Sequence, residues 1–318
     1  MIIRKKLEEI YRKTLFSRHD IDGTIFYFSH EDFEGLKKVP SSFKTKRGDT
    51  IRGYFYFYGA PDYSRIVVFD HGLAIGHRSY MREVEMLARH GYTVYTFDHT
   101  GCTESEGEGI HGFAGSLADL DDCMTMLKAE FPESKFSVVG HSRGGYSTLN
   151  IPALHPEIEH IVAISGFSSV SEMQGQLIPS FAKKIRAHIY SIEEQDSPDY
   201  ITAVAYDSLK TTKTKALIIH SEDDTTVSVK HYRKLEPALK DMPNIRFLLV
   251  NGKAHNPHYT ADAVKYKDAF FKNYKRQKKK GKLETPEQRA AFINSYDWHR
   301  MTAQDDVVWH EIFCHLDS

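Results

Sequence analysis

The sequence predicts an α/β architecture, a mostly parallel central sheet with helices on both faces, on the strength of three observations. From Thr50 to Lys253 short apolar runs alternate with longer segments of helical periodicity, as repeated βαβ units do. The runs Ile66-Val67-Val68-Phe69, Phe136-Ser137-Val138-Val139, Ile161-Val162-Ala163-Ile164, Ala216-Leu217-Ile218-Ile219 and Phe247-Leu248-Leu249-Val250 are nearly continuous rather than alternating, which suits strands buried on both faces. Between them, Tyr80, Val84, Leu87 and Ala88 form one apolar helical stripe and Leu117, Leu120, Met124 and Leu127 another, so helices are available to cover those faces.

Taken in order, residues 1–49 read as an N-terminal helix and an edge segment. Ile3, Leu7, Ile10 and Tyr11 fall on one helical face, and charges interrupt the apolar residues too often for a signal peptide. A docked amphipathic helix is expected, with an organelle-targeting helix as the alternative. Residues 50–273 form the main domain. Thr50 to Tyr58, rich in Tyr and Phe and more clearly alternating, predicts an antiparallel edge strand. Residues 168–213 break the regular alternation with Met173, Leu177, Phe181, Ile185 and Ile189 spaced four apart. An insertion at the carboxyl end of a parallel sheet lies over the ligand crevice, so this segment predicts a small helical cap. Met173, Leu177, Phe181 and Ile185 are its candidate pocket residues, with plain core packing as the alternative.

A final core helix is expected after His255, and residues 274–318 read as a basic linker followed by C-terminal helices. The run from Lys275 to Lys282 reads as solvated linker, with an acidic membrane or partner contact as the alternative. Thr285-Pro286-Glu287-Gln288 carries an N-cap hydroxyl, a proline at the first helical position and a capping-box Gln. Thr302-Ala303-Gln304-Asp305 suggests a second helix start. Val308, Ile312 and Leu316 then share a face that docks on the domain or on another copy of the chain, which leaves a homo-oligomer open.

Composition bounds the function. The 318 residues are 41% apolar, and 42 Lys plus Arg against 43 Asp plus Glu give a net charge of −1. That balance provides no overall field for a polyanion, so no nucleic-acid partner is expected. Cys102, Cys123 and Cys314 are few and far apart, which fits reduced, structural thiols and a cytoplasmic protein better than a secreted disulfide framework. No segment approaches the roughly 20 apolar residues of a transmembrane helix.

Chemistry concentrates in three strand-end loops. Gly140-His141-Ser142-Arg143-Gly144 follows directly on a predicted strand and opens a helix, the context of a nucleophile elbow. Side chains two residues either side of the serine would collide with backbone at so sharp a turn, which explains Gly140 and Gly144. A serine hydroxyl needs a base, and the base needs an orienting acid. The loop His220-Ser221-Glu222-Asp223-Asp224 offers the acid, with Asp224 favoured over Asp223. The loop Asn251-Gly252-Lys253-Ala254-His255-Asn256 offers the base, His255. Oxyanion donors are expected from the amide of Arg143 and, through His71-Gly72-Leu73-Ala74, from the amide of Leu73.

With these motifs in place, residues Thr50 to Phe271 resemble the α/β-hydrolase family, in particular its monoacylglycerol-lipase-like and serine-aminopeptidase-like branch. Asp98-His99-Thr100-Gly101-Cys102-Thr103-Glu104-Ser105-Glu106-Gly107 is similar to the family's loop after the fourth strand. Ser221 stands where the family often has Gly, and the chain beyond about Tyr274 lies outside its common core. The resemblance implies hydrolysis without a metal or organic cofactor, most often of a small-molecule acyl ester, by a serine esterase. A peptidase would need cap acids such as Glu172, Glu193 or Glu194 to hold a substrate amine. A non-catalytic binding protein on the same fold is the other alternative.

Overall fold

A computed structural model of the chain describes residues 2–73 and 76–318; the Ile3 side chain and Ala74, both used in the sequence reading, lie outside the described residues. Within them one sheet contains β1 (Leu36–Lys44), β2 (Thr50–Tyr58), β3 (Arg65–Asp70), β4 (Thr93–Phe97), β5 (Lys135–His141), β6 (Ile158–Ile164), β7 (Lys215–Ser221) and β8 (Ile245–Val250). Their spatial order is β1-β2-β4-β3-β5-β6-β7-β8. The β1–β2 and β2–β4 pairs are antiparallel and all later pairs are parallel. Helix α1 (Ile2–Leu15) precedes the sheet, α2 (Met81–Arg89) joins β3 to β4, α3 (Ala114–Glu130) joins β4 to β5, and α4 (Arg143–Asn150) follows β5. Between β6 and β7 lie α5 (Val170–Leu177), α6 (Lys183–Asp196) and α7 (Ala205–Lys210). Helix α8 (Lys230–Leu239) joins β7 to β8, after which come α9 (Ala261–Lys279), α10 (Pro286–Asn294), α11 (Trp298–Met301) and α12 (Asp306–Leu316). No helix among the described residues is long and apolar enough to cross a membrane.

The continuous apolar runs find their explanation in two cores, one on each face of the sheet. Ile66 and Val68 of β3 enter one core with Leu117, Leu120, Met124 and Leu127 of α3. Val67 and Phe69, one residue out of phase, enter the other with Val84, Leu87 and Ala88 of α2. Successive side chains of a strand point to opposite faces, so a strand covered on both sides must be apolar throughout.

Three expectations are corrected. Thr50 to Tyr58 is antiparallel as read, but it is not the edge: β1 pairs with it along its whole length, from Leu36 opposite Tyr58 to Lys44 opposite Thr50. β1 carries Lys37, Lys38 and Pro40, residues that protect an exposed edge from further pairing and that hide the strand from a hydrophobicity pattern. The basic run is not a linker through most of its length, because α9 continues to Lys279. Lys and Arg in a last turn favour helix by interacting with its exposed carbonyls. The helix after His255 does not cover the sheet either: its Phe270 packs with Leu283, Phe292 and Met301 in a third cluster, while Val308, Trp309, Ile312 and Leu316 of α12 complete the second sheet-face core.

Helix starts near the C-terminus follow local chemistry. Thr285 and Gln288 form the capping box read from the sequence. The last helix starts from an N-cap at Asp305, whose side chain accepts from the Val308 amide, with the short α11 before it. Cys102 and Cys123 are buried, and burial pushes the Cys102 thiol up to about 12; Cys314, by contrast, is exposed.

Candidate active site

Ser142 lies between the end of β5 and the start of α4 with φ 59° and ψ −113°, a conformation that L-residues adopt only under constraint. The glycines around it have specific reasons. A Cβ on Gly140 would lie 2.2 Å from Thr148 Oγ1 and 2.4 Å from the Gly144 carbonyl oxygen, and one on Gly144 would lie 2.1 Å from the Asp70 carbonyl oxygen. The Ser142 amide donates to the Ile164 carbonyl at 2.8 Å, tying the turn to β6.

His255 arrives from the loop after β8, and its Nε2 lies 2.9 Å from Ser142 Oγ. Its Nδ1 lies 2.8 Å from Oδ2 of Asp224, which comes from the loop after β7. A carboxylate can only accept, so the His255 proton resides on Nδ1 and Nε2 is free to accept from the serine hydroxyl. The other Asp224 oxygen accepts from the amides of Thr226 at 2.8 Å and Val227 at 3.0 Å, which fixes the carboxylate in place. Asp223 points elsewhere. Its Oδ1 accepts from Ser221 Oγ and from the amides of Gly252, Lys253 and Ala254, so it staples the β7 loop to the β8 loop. Burial pushes its carboxyl up, but these donors outweigh that and hold it below the ordinary value.

A second set of residues, unassigned in the sequence, supports His255 from behind. His141 Nε2 lies 2.7 Å from the His255 carbonyl oxygen and its Nδ1 lies 2.9 Å from Tyr80 Oη. Since the carbonyl only accepts, His141 donates through Nε2 and accepts from the Tyr80 hydroxyl. Burial, with His255 and His258 nearby, lowers the His141 pKa well below the usual histidine value, which keeps this neutral arrangement. Its position inside the elbow motif was visible, but its hydrogen bonds depend on contacts distant in sequence.

Ser142 and His255 line a cavity of about 1300 Å³. One wall comes from α1 and the cap: Leu7, Tyr11, Leu15, Met173, Leu177 and Ile189 line it. Another comes from the segment before β1, from the loop leading into α9, and from α9 and α11, including Phe26, Phe28, Tyr259, Lys267, Phe270 and Trp298. Of the expected cap residues, Met173 and Leu177 therefore face the cavity, whereas Phe181 is 89% exposed and neither it nor Ile185 belongs to the lining. The four-residue spacing read through the cap is interrupted at Ile178, with φ −116° and ψ 120°, because Pro179 disfavours helix in the residue before it. The four-residue phase restarts in α6, which returns Ile189 to the cavity.

Arg143 and Leu73 also line the cavity. Arg143 is the first residue of α4, where an amide has no partner within the helix. Its guanidinium is committed elsewhere, to the carbonyls of Gly112 at 3.0 Å and Ile110 at 2.7 Å. The cap acids considered for an amine are also committed or remote. Glu172 pairs with Lys234 and His231, Glu193 accepts from Tyr11 Oη and from the amides of Phe113 and Ala114, Glu194 is exposed, and none lines the cavity.

Comparison with known proteins agrees with this layout. Residues 61–203 match the family model described as serine aminopeptidase, S33. A proline iminopeptidase of Saccharolobus solfataricus is 25% identical over 168 residues, a match spanning 51% of this chain and 54% of that protein, so the chain spans about half the length of this curated relative. An esterase of Pyrococcus furiosus superposes with a TM-score of 0.59 at 19% identity, covering 83% of this chain and 97% of that one. An α/β-hydrolase of Penicillium sp. sh18 gives a TM-score of 0.51 at 16% identity over 69% of this chain and 91% of that one. At such identities the structural likenesses speak to fold alone. By its sheet order and these likenesses the chain has the α/β-hydrolase fold, and its residues 61–203 match the model of the S33 serine aminopeptidase family.

Proposed function

We propose that the chain is a serine hydrolase that cleaves carboxylic esters through an acyl-enzyme, with Ser142 as nucleophile, His255 as general base and acid, and Asp224 orienting His255. The observation that carries this reading is the unbroken hydrogen-bonded line Ser142–His255–Asp224, at 2.9 and 2.8 Å, assembled from three separate strand-end loops. Ser142 Oγ attacks the ester carbonyl as its proton passes to His255 Nε2. His255 then returns the proton to the departing alcohol oxygen, and water drawn through the same base releases the acid. The amides of Arg143 and Leu73 receive the oxyanion, and removing one such donor costs roughly a hundredfold or more in rate. Asp224 holds the imidazole in the tautomer that accepts from serine.

An ester is favoured over an aminoacyl amide because the cap acids that could hold an amine, Glu172 and Glu193, already have partners. The names of the matching family and of the iminopeptidase keep the peptidase reading in the test. Purified protein is reacted with a fluorophosphonate probe and assayed on matched short acyl esters and aminoacyl amides. The expected result is a label on Ser142, lost in Ser142→Ala and His255→Ala, with esters turned over faster than amides. Folded protein that takes no label and hydrolyses neither class would overturn the proposal in favour of a binding protein.

A further inference from the structure

Among the described residues, Lys267 stands out in the cavity wall. Its ammonium lies 3.2 Å from Asn256 Oδ1 and 4.9 Å from the centre of the Tyr259 ring, and no carboxylate lies within ion-pair distance. Of the carboxylates in the same lining, Glu83 bonds His258 through Oε1 at 2.9 Å, Asp223 holds the loop after β8 and Asp268 pairs with Lys272 at 2.6 Å. The basic side chains Arg78 and Arg143 of the same lining donate to backbone carbonyls. Lys267 is thus a half-buried cation on the cavity wall with no carboxylate in ion-pair contact, the Glu83 charge acting on it from beyond that distance. Burial lowers its amine from the ordinary lysine value, with Glu83 partly opposing, so an anion brought beside it would be stabilised by more than a surface lysine could offer.

Its place relative to the reaction follows from Asn256. That residue is next to His255 in the chain, and His255 must hand its proton to the departing oxygen, so the leaving group lies on the His255 side. Resting on the ester-hydrolase reading above, we propose that Lys267, with the adjoining Tyr259 ring, forms a subsite for a carboxylate carried by the alcohol portion of the substrate. The substrate class is then an acyl ester of a hydroxy acid, its acyl part against the apolar wall of α1 and the cap and its carboxylate against Lys267. A single ammonium meets a carboxylate through one charge-assisted hydrogen bond.

The test compares 4-acetoxybenzoate with its methyl ester, methyl 4-acetoxybenzoate, on wild type, Lys267→Met and Lys267→Arg. Comparing enzymes on each ester cancels the intrinsic reactivity of the two leaving groups. The kcat/KM ratio of acid to methyl ester is expected to fall about tenfold in Lys267→Met, the scale of one charge-assisted hydrogen bond, and to be largely retained in Lys267→Arg. Fluorophosphonate labelling of each variant establishes that the site is folded. Should Lys267→Met fail to fold, Lys267→Gln provides the same comparison. An unchanged ratio with both esters still cleaved overturns the subsite while leaving ester hydrolysis standing. Wild-type protein that cleaves neither ester and takes no label overturns both.

Discussion

Ser142 occupies a backbone conformation that costs on the order of 1–3 kcal/mol, and its neighbours supply what holds it there. Gly144 is the most demanding of them. A methyl group added at this position would meet the Asp70 carbonyl at 2.1 Å, and Asp70 is backbone at the end of a central strand that cannot withdraw. Gly144→Ala is therefore expected to lower the melting temperature and abolish labelling of Ser142, a combined loss that melting curves and probe gels read directly. The two adjacent aspartates offer a sharper test. Asp224→Asn would let His255 take the wrong tautomer, and kcat is expected to fall by about 10³ to 10⁴ with the fold intact. Asp223→Asn keeps an acceptor oxygen for the loop amides and is expected to retain most of its kcat. The sequence placed both carboxylates in the right loop, but which one turned inward was beyond it, because that depends on four donors in two loops about 30 residues apart.

Where the ends of β3 and β4 meet α3, behind the loop carrying Leu73, a buried imidazole joins three elements. His99 Nε2 lies 2.7 Å from Asp70 and its Nδ1 lies 3.0 Å from Asp119. Burial opposes charge on His99, yet the carboxylates on either side outweigh it and raise its pKa above the usual value. For Asp119, burial alone would raise the pKa, but the bonds from His99 and Thr100 bring it below the usual value. A raised histidine contributes stability that is fully present below its unfolded pKa of about 6.5 and is lost as pH climbs through the folded value. The depressed Asp119 contributes above its unfolded value of about 4, a contribution lost as pH falls through the folded one. Melting temperature is thus expected to decline as pH rises above the unfolded histidine value of about 6.5, and a His99→Gln protein, already less stable, is expected to lack that part of the slope. Melts from about pH 6 to about pH 10 measure it; parallel slopes in the two proteins would refute the pairing. At this scale the parallel strands and their helices were legible because period and burial coincide in them. The pairing of β1, inside residues read only as an edge segment, and the helical basic run were not, since pairing to β2 and continuation of α9 override what those residues suggest alone.

Across the whole molecule the C-terminal residues divide into two jobs that the sequence ran together. Met301 and Trp298 line the cavity, whereas α12, beyond them, does not; its Ile312 is fully buried against the sheet with Val162, Ile164, Leu217 and Ile219 in the same core. An apolar face at the end of a chain reads the same whether it meets its own sheet or a second copy, and only the tertiary structure assigns it to the sheet. That separation of stability from chemistry can be measured. Ile312→Ala removes buried methyl groups from a closed core and is expected to cost about 2–5 kcal/mol. Val307, on the opposite face of the same helix, is 75% exposed, and Val307→Ala is expected to change stability by no more than about 0.5 kcal/mol. Because α12 contributes no side chain to the cavity, kcat/KM per folded molecule should match wild type in both variants at temperatures well below their melting points. Trp298→Ala opens the cavity wall itself and should alter kcat/KM at those same temperatures. If Ile312→Ala instead changed the rate while leaving the melting temperature alone, α12 would have to act on the active site, and its role as a cover for the sheet would be wrong.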